Sequence, residues 1–136
     1  MHSPRRRRLV ALTVLFAGLS VAPAAPQEPA KPSPLALARF EAAEKQFEII
    51  WSYYQQDRTD SFQVYVWSRL VLDARREMGE APADRRAALE GHLARMKRME
   101  ELVRKIRRLG FGRSSDVGAS LYYRLEAEHW LAREKR

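Results

Sequence analysis

Leu102-Val103-Arg104-Lys105-Ile106-Arg107-Arg108-Leu109-Gly110-Phe111-Gly112-Arg113-Ser114-Ser115-Asp116-Val117 is the stretch that decides the fold. Its first half continues an apolar row, Leu89, Leu93, Met96, Met99, Val103 and Ile106, at near-heptad spacing. That spacing predicts a long helix from about 82 to 109. Gly110 and Gly112 then stop it, because glycine takes the left-handed backbone that ends a helix without steric cost. Ser114 or Ser115 supplies a hydroxyl for the next N-terminus, and Asp116 adds a negative charge at its positive end. A helix, a tight stop and a new helix make an antiparallel αα-hairpin.

The same grammar runs upstream. Ser33-Pro34 is a cap followed by proline at the first helical position. Phe40, Phe47, Ile50, Trp51 and Tyr54 fall on one face of a helix expected over 34–56. Asp57 to Asp60 break it, and Thr59 or Asp60 can cap a second helix over 60–78. Phe62, Val66, Leu70 and Trp67 read as that helix's buried stripe. Gly79 and Pro82 separate it from the third helix, in which Gly91 is a weak point of about 1 kcal/mol. The fourth helix, over 115–134, shows Val117, Leu121, Leu125, Ala127, Trp130 and Leu131 as its apolar positions.

A shift of 55 positions superimposes the halves: Phe47 on Leu102, Trp51 on Ile106, Phe62 on Val117, Val66 on Leu121 and Leu70 on Leu125. The breaks coincide as well, which indicates a duplicated hairpin. The fold class read from the sequence is therefore all-α. Two antiparallel αα-hairpins form a four-helix, coiled-coil-like bundle over 35–136.

The N-terminus carries a different message. Arg5 to Arg8 precede an apolar run from Leu9 to Val21, and Ala22-Pro23-Ala24 offers small residues for cleavage. Basic, apolar, small is the order of a secretory signal peptide, expected here as 1–24 with cleavage near Ala24. Five of the seven prolines lie between Pro23 and Pro34, so 25–34 reads as a disordered tether. The expected location is periplasmic or secreted. The net charge of +8 falls to about +4 without the leader arginines, which leaves nucleic acid a poor partner. There is no cysteine, so disulfides and thiolate metal sites are excluded. No later run is long enough to span a membrane.

Candidate chemistry is sparse. Glu126 and His129 form one Glu-x-x-His, the spacing used in di-iron bundles, but a second copy is missing because Leu89 precedes His92. Glu41, Glu44 and Glu48 share a face as solvated charges. No nucleophile–base pair or phosphate loop stands out, so neither enzyme activity, cofactor nor metal is expected. The helix over 82–109 is basic through Arg85, Arg86, Arg95, Lys97, Arg98, Arg104, Lys105, Arg107 and Arg108, with Arg113 just beyond, and could meet an anionic surface.

Residues 96–133 resemble the helical hairpins of TolC-like outer-membrane efflux proteins. The resemblance rests on the Gly110-to-Asp116 interval, the Asp116-Val117 pair and Ala119. It implies a docking turn of Gly110, Ser115, Asp116 and Val117 that meets a partner's coiled coil, and an efflux-associated role. It does not extend to a channel, because no barrel strands are present in the pattern. The expectation is an exported, non-enzymatic interaction or structural module, with possible self-association. The alternative is a small ligand- or metal-binding bundle using Glu126 and His129.

Overall fold

The computed structural model describes residues 31–79 and 81–134. The expected signal peptide and residues 25–30 of the expected tether lie outside them. The described residues form four helices and no strand: α1 Pro34–Gln55, α2 Ser61–Arg76, α3 Pro82–Arg108 and α4 Ser114–Glu134. The ends agree with the sequence pattern to within two residues, the usual fraying of helix termini.

The caps are local chemistry. Ser33 Oγ accepts from the Ala36 N–H at 3.1 Å, and Pro34 occupies the first turn. Asp60 is the N-cap of α2, accepting from the Gln63 N–H at 2.9 Å. Helix α1 closes with Asp57 in the left-handed region (φ 57°) and the Arg58 N–H on the Tyr53 carbonyl. Helix α3 closes the same way, with Gly110 at φ 83° and the Phe111 N–H on the Ile106 carbonyl. Both turns thus satisfy orphan carbonyls with the same backbone closure.

Short connections make successive helices antiparallel. Helices α2 and α3 pack closely at the centre; α1 lies against α2, and α4 against both α3 and α2. The backbones of α1 and α4 do not approach each other. The main core joins Phe47, Trp51 and Tyr54 of α1 to Val64 and Val71 of α2 and to Met96, Met99 and Val103 of α3. A smaller cluster, Leu72, Ala88 and Leu89, sits under Trp130 and Leu131. Buried Glu100 of α3 ties α4 in through Arg124 at 2.5 Å and accepts from Arg104 at 2.6 Å.

Helices α1 and α3 bury the rows their periodicity predicts. Helix α2 and the first half of α4 do not, whereas Ala127, Trp130 and Leu131 of α4 pack inward as expected. The expected α2 stripe of Phe62, Val66 and Leu70 faces outward, with Phe62 53% and Leu70 37% exposed. The buried row is Ser61, Val64, Ser68, Val71 and Leu72. On α4, Val117, Leu121 and Leu125 are exposed, while Ser120 and Ala127 are buried. The reason is steric. Where central helices approach closely, small side chains leave room for neighbours such as Leu89, Met96 and Met99. Serine is tolerated there because its hydroxyl is bonded: Ser68 to His92, and Ser120 to the Val117 carbonyl at 3.2 Å.

Candidate functional site

Because α2 and α4 turn their bulky rows outward, their shared surface is aromatic. Phe62 lies against Tyr65, with ring centroids 6.4 Å apart. Tyr65 stacks on Tyr123 of α4 at 4.1 Å, and Tyr123 meets Tyr122 edge-on at 6.0 Å. The four rings form one strip across the two helices. Its outer members are the most open: Phe62 is 53% and Tyr122 61% exposed. Leu121 and Leu125, beside Tyr122 on α4, extend the apolar surface. The inner rings are fixed in place. The Tyr65 hydroxyl donates to Glu126 at 2.6 Å and accepts from Arg69 at 3.1 Å. Burial, then the bond to Glu126, raises the Tyr65 phenol above its ordinary pKa. A rigid platform with exposed aromatic ends offers contact area at little entropic cost.

Beneath the strip lies a polar cluster that single-residue motifs do not reveal. Ser68, His92 and Arg95 converge between α2 and α3. Ser68 Oγ is 2.8 Å from His92 Nδ1 and accepts from Arg95 Nε at 2.8 Å. The His92 ring stacks on Trp130 at 5.7 Å, and its Nε2 is buried without a partner. Burial, reinforced by Arg95 and Arg69, pushes His92 down to about 3, so it is neutral at pH 7. Burial also lowers Arg95 to about 10. A serine–histidine contact suggests a nucleophile and its base. Here both side chains are fully enclosed, so no substrate carbonyl can reach the hydroxyl, and the cluster serves as internal structure.

The turn residues expected to dock separate into two groups. Gly110, Ser115 and Val117 are exposed. Asp116 points inward: Ser61 Oγ donates to it at 2.8 Å and the Tyr54 hydroxyl at 3.2 Å. Ser61 and Asp116 are the pair that the 55-residue shift superimposes, and here they touch. This carboxylate locks the two hairpin turns together. Asp116→Ala should therefore cost about 2 kcal/mol, from two charge-assisted bonds and a buried phenol left unpaired. Urea unfolding would measure it, with Asp116→Asn recovering part of the loss. Beside the lock, Val103, Ile106 and Phe111 line an open cleft of about 330 Å³ with Arg107 and Arg113.

The Glu126 and His129 side chains have different surroundings. Glu126 is engaged by Tyr65, and His129 is exposed on the outer side of α4. Among the described residues no group of three potential metal ligands converges. The basic residues of α3 are partly matched, through Arg86–Glu90, Arg98–Glu48 and Arg104–Glu100. No described helix is long and apolar enough to cross a membrane. Comparison with protein-family models, curated proteins and solved structures finds no match.

Proposed function

We propose that this chain is an exported, non-enzymatic interaction module whose α2/α4 face receives an amphipathic helix of another envelope protein. The observation that carries the reading is the aromatic strip from Phe62 to Tyr122, with Leu121 and Leu125 beside it. Large apolar side chains on a monomer surface are ordinary when scattered. Four rings in mutual contact are not scattered, and such patches mark contact sites. The helix-in-groove mode fits, since a partner's apolar row would lie along the parallel helices α2 and α4. The likeness of the second hairpin to TolC-like hairpins supports a helical partner and an efflux-associated setting. The leader supports an envelope location.

Site-specific photocrosslinking in intact cells tests this reading. A crosslinker at position 122 should give a discrete adduct with another envelope protein, and one at the exposed Lys97 of α3 should not. Equal yields from both positions, or none from 122, would contradict it. An adduct of twice the chain's mass would instead identify a second copy as the occupant.

A further inference from the structure

The opposite end of the α2/α4 seam holds a second feature, joined to the aromatic strip through the Arg69–Tyr65 bond. Arg69, Leu72 and Arg76 of α2 and Trp130, Arg133 and Glu134 of α4 line a cleft of about 370 Å³. Its charge is unbalanced. Glu134 is already bonded to Arg85 at 2.8 Å. Glu128 of α4 is paired with Arg124 at 2.8 Å, and Glu126 is reached from Arg69 only through the Tyr65 hydroxyl. Arg76 and Arg133 make no ion pair among the described residues. Three guanidinium groups therefore surround one cleft whose carboxylate is engaged elsewhere.

Helix dipoles account for part of this. Arg76 and Arg133 lie in the last turns of α2 and α4, where a cation offsets the negative end. That explanation does not reach Arg69, which sits mid-helix. Its guanidinium lies 4.4 Å over the Trp130 ring, and its Nε is buried with no acceptor. A buried donor of a charged group is costly when left unpaired. The Trp130 ring on the cleft wall contacts both the Arg69 guanidinium and the His92 ring, the latter at 5.7 Å.

We propose that this cleft binds a phosphate group, with Arg69, Arg76 and Arg133 as its ligands. A tetrahedral dianion matches the excess of positive charge, and guanidinium forks suit its oxygens. The cleft has space beyond the phosphate for the group attached to it. That group is either a small soluble ester or the glycerol of an anionic lipid.

Two probes test the site on the purified protein at low ionic strength. One is calorimetric titration with inorganic phosphate. The other is co-sedimentation with phosphatidylcholine vesicles with and without phosphatidylglycerol. The double variant Arg76→Gln/Arg133→Gln should weaken binding by about tenfold or more. Arg133→Lys, which keeps the charge but loses the fork, should weaken it by about threefold. The control Lys105→Gln/Arg108→Gln, which removes the same charge from the far end of α3, should change it by less than about twofold. Binding of free phosphate assigns a soluble ester, and binding confined to phosphatidylglycerol vesicles assigns a headgroup; both support the site. If the double variant unfolds by circular dichroism, Arg133→Lys against the control decides. No binding to either probe, or an equal loss in the control, would overturn the proposal.

Discussion

Between pH 7 and pH 5 the bundle is expected to lose about 2 kcal/mol of stability, and about 3 by pH 4, through His92 alone. The native imidazole titrates at about 3 and its ordinary value is 6.5. The native pKa is depressed, so between these values the unfolded chain binds the extra proton. Stability from this group is therefore complete above pH 6.5. It falls as the pH drops and stops falling below about 3. The cause is burial first, then the positive charges of Arg95, Arg69 and Arg76 around the ring. Its neighbours Ser68, Tyr65 and Trp130 are neutral at these pH values, and none can compensate an imidazolium. Urea unfolding at pH 7 and pH 5 measures the slope. His92→Gln, which does not titrate, should remove most of it. A wild-type midpoint unchanged between these pH values would show that the imidazole is not enclosed as described.

Ser68→Ala should cost about 3 kcal/mol, well above the value for an ordinary serine hydroxyl. One oxygen serves two demanding neighbours, His92 Nδ1 and Arg95 Nε, each at 2.8 Å. Removing it leaves a buried imidazole nitrogen and a largely buried guanidinium short of a partner. The Arg95 Nη2 contact to the Ser68 carbonyl at 3.3 Å would remain. Because the cost arises from Arg95 as well as Ser68, the two positions should couple. Ser68→Ala/Arg95→Met should be less damaging than the sum of the single variants, by about 1 to 2 kcal/mol. Strict additivity would mean that the bond between them contributes nothing.

The sequence reveals the hairpins but misassigns the outer faces. Ser33, Asp60 and Gly110 act through their own backbone neighbourhood, so their capping roles are legible from identity and position. Phe47, Trp51 and Tyr54, like Met96, Met99 and Val103, fill the core and obey helical spacing. On α2 and α4 the most hydrophobic row is not the buried one. Periodicity reads side-chain hydrophobicity, whereas the closest helix contact selects for size. Ser61, Ser68 and Ser120 therefore sit inside, and Phe62 and Leu121 outside. The 55-residue match of Phe62 with Val117 and Val66 with Leu121 is thus a match of outward rows. The Ser68–His92–Arg95 cluster is invisible along the chain because its members are common polar residues on two helices. The one available hint is that Ser68 falls at the helical spacing of the buried Val64 and Leu72, on a row that otherwise looks too small and polar to be core.

The reading of the α2/α4 surface as a contact face stands on Phe62 and Tyr122 contributing little to folding. Urea unfolding of Phe62→Ser/Tyr122→Ser tests this most directly. If these rings form an outer strip, the double variant loses less than about 1.5 kcal/mol, mainly their edge contacts with Tyr65 and Tyr123. If they belong to the core, as the hydrophobic spacing suggests for Phe62, the loss reaches about 6 kcal/mol or more and the bundle unfolds.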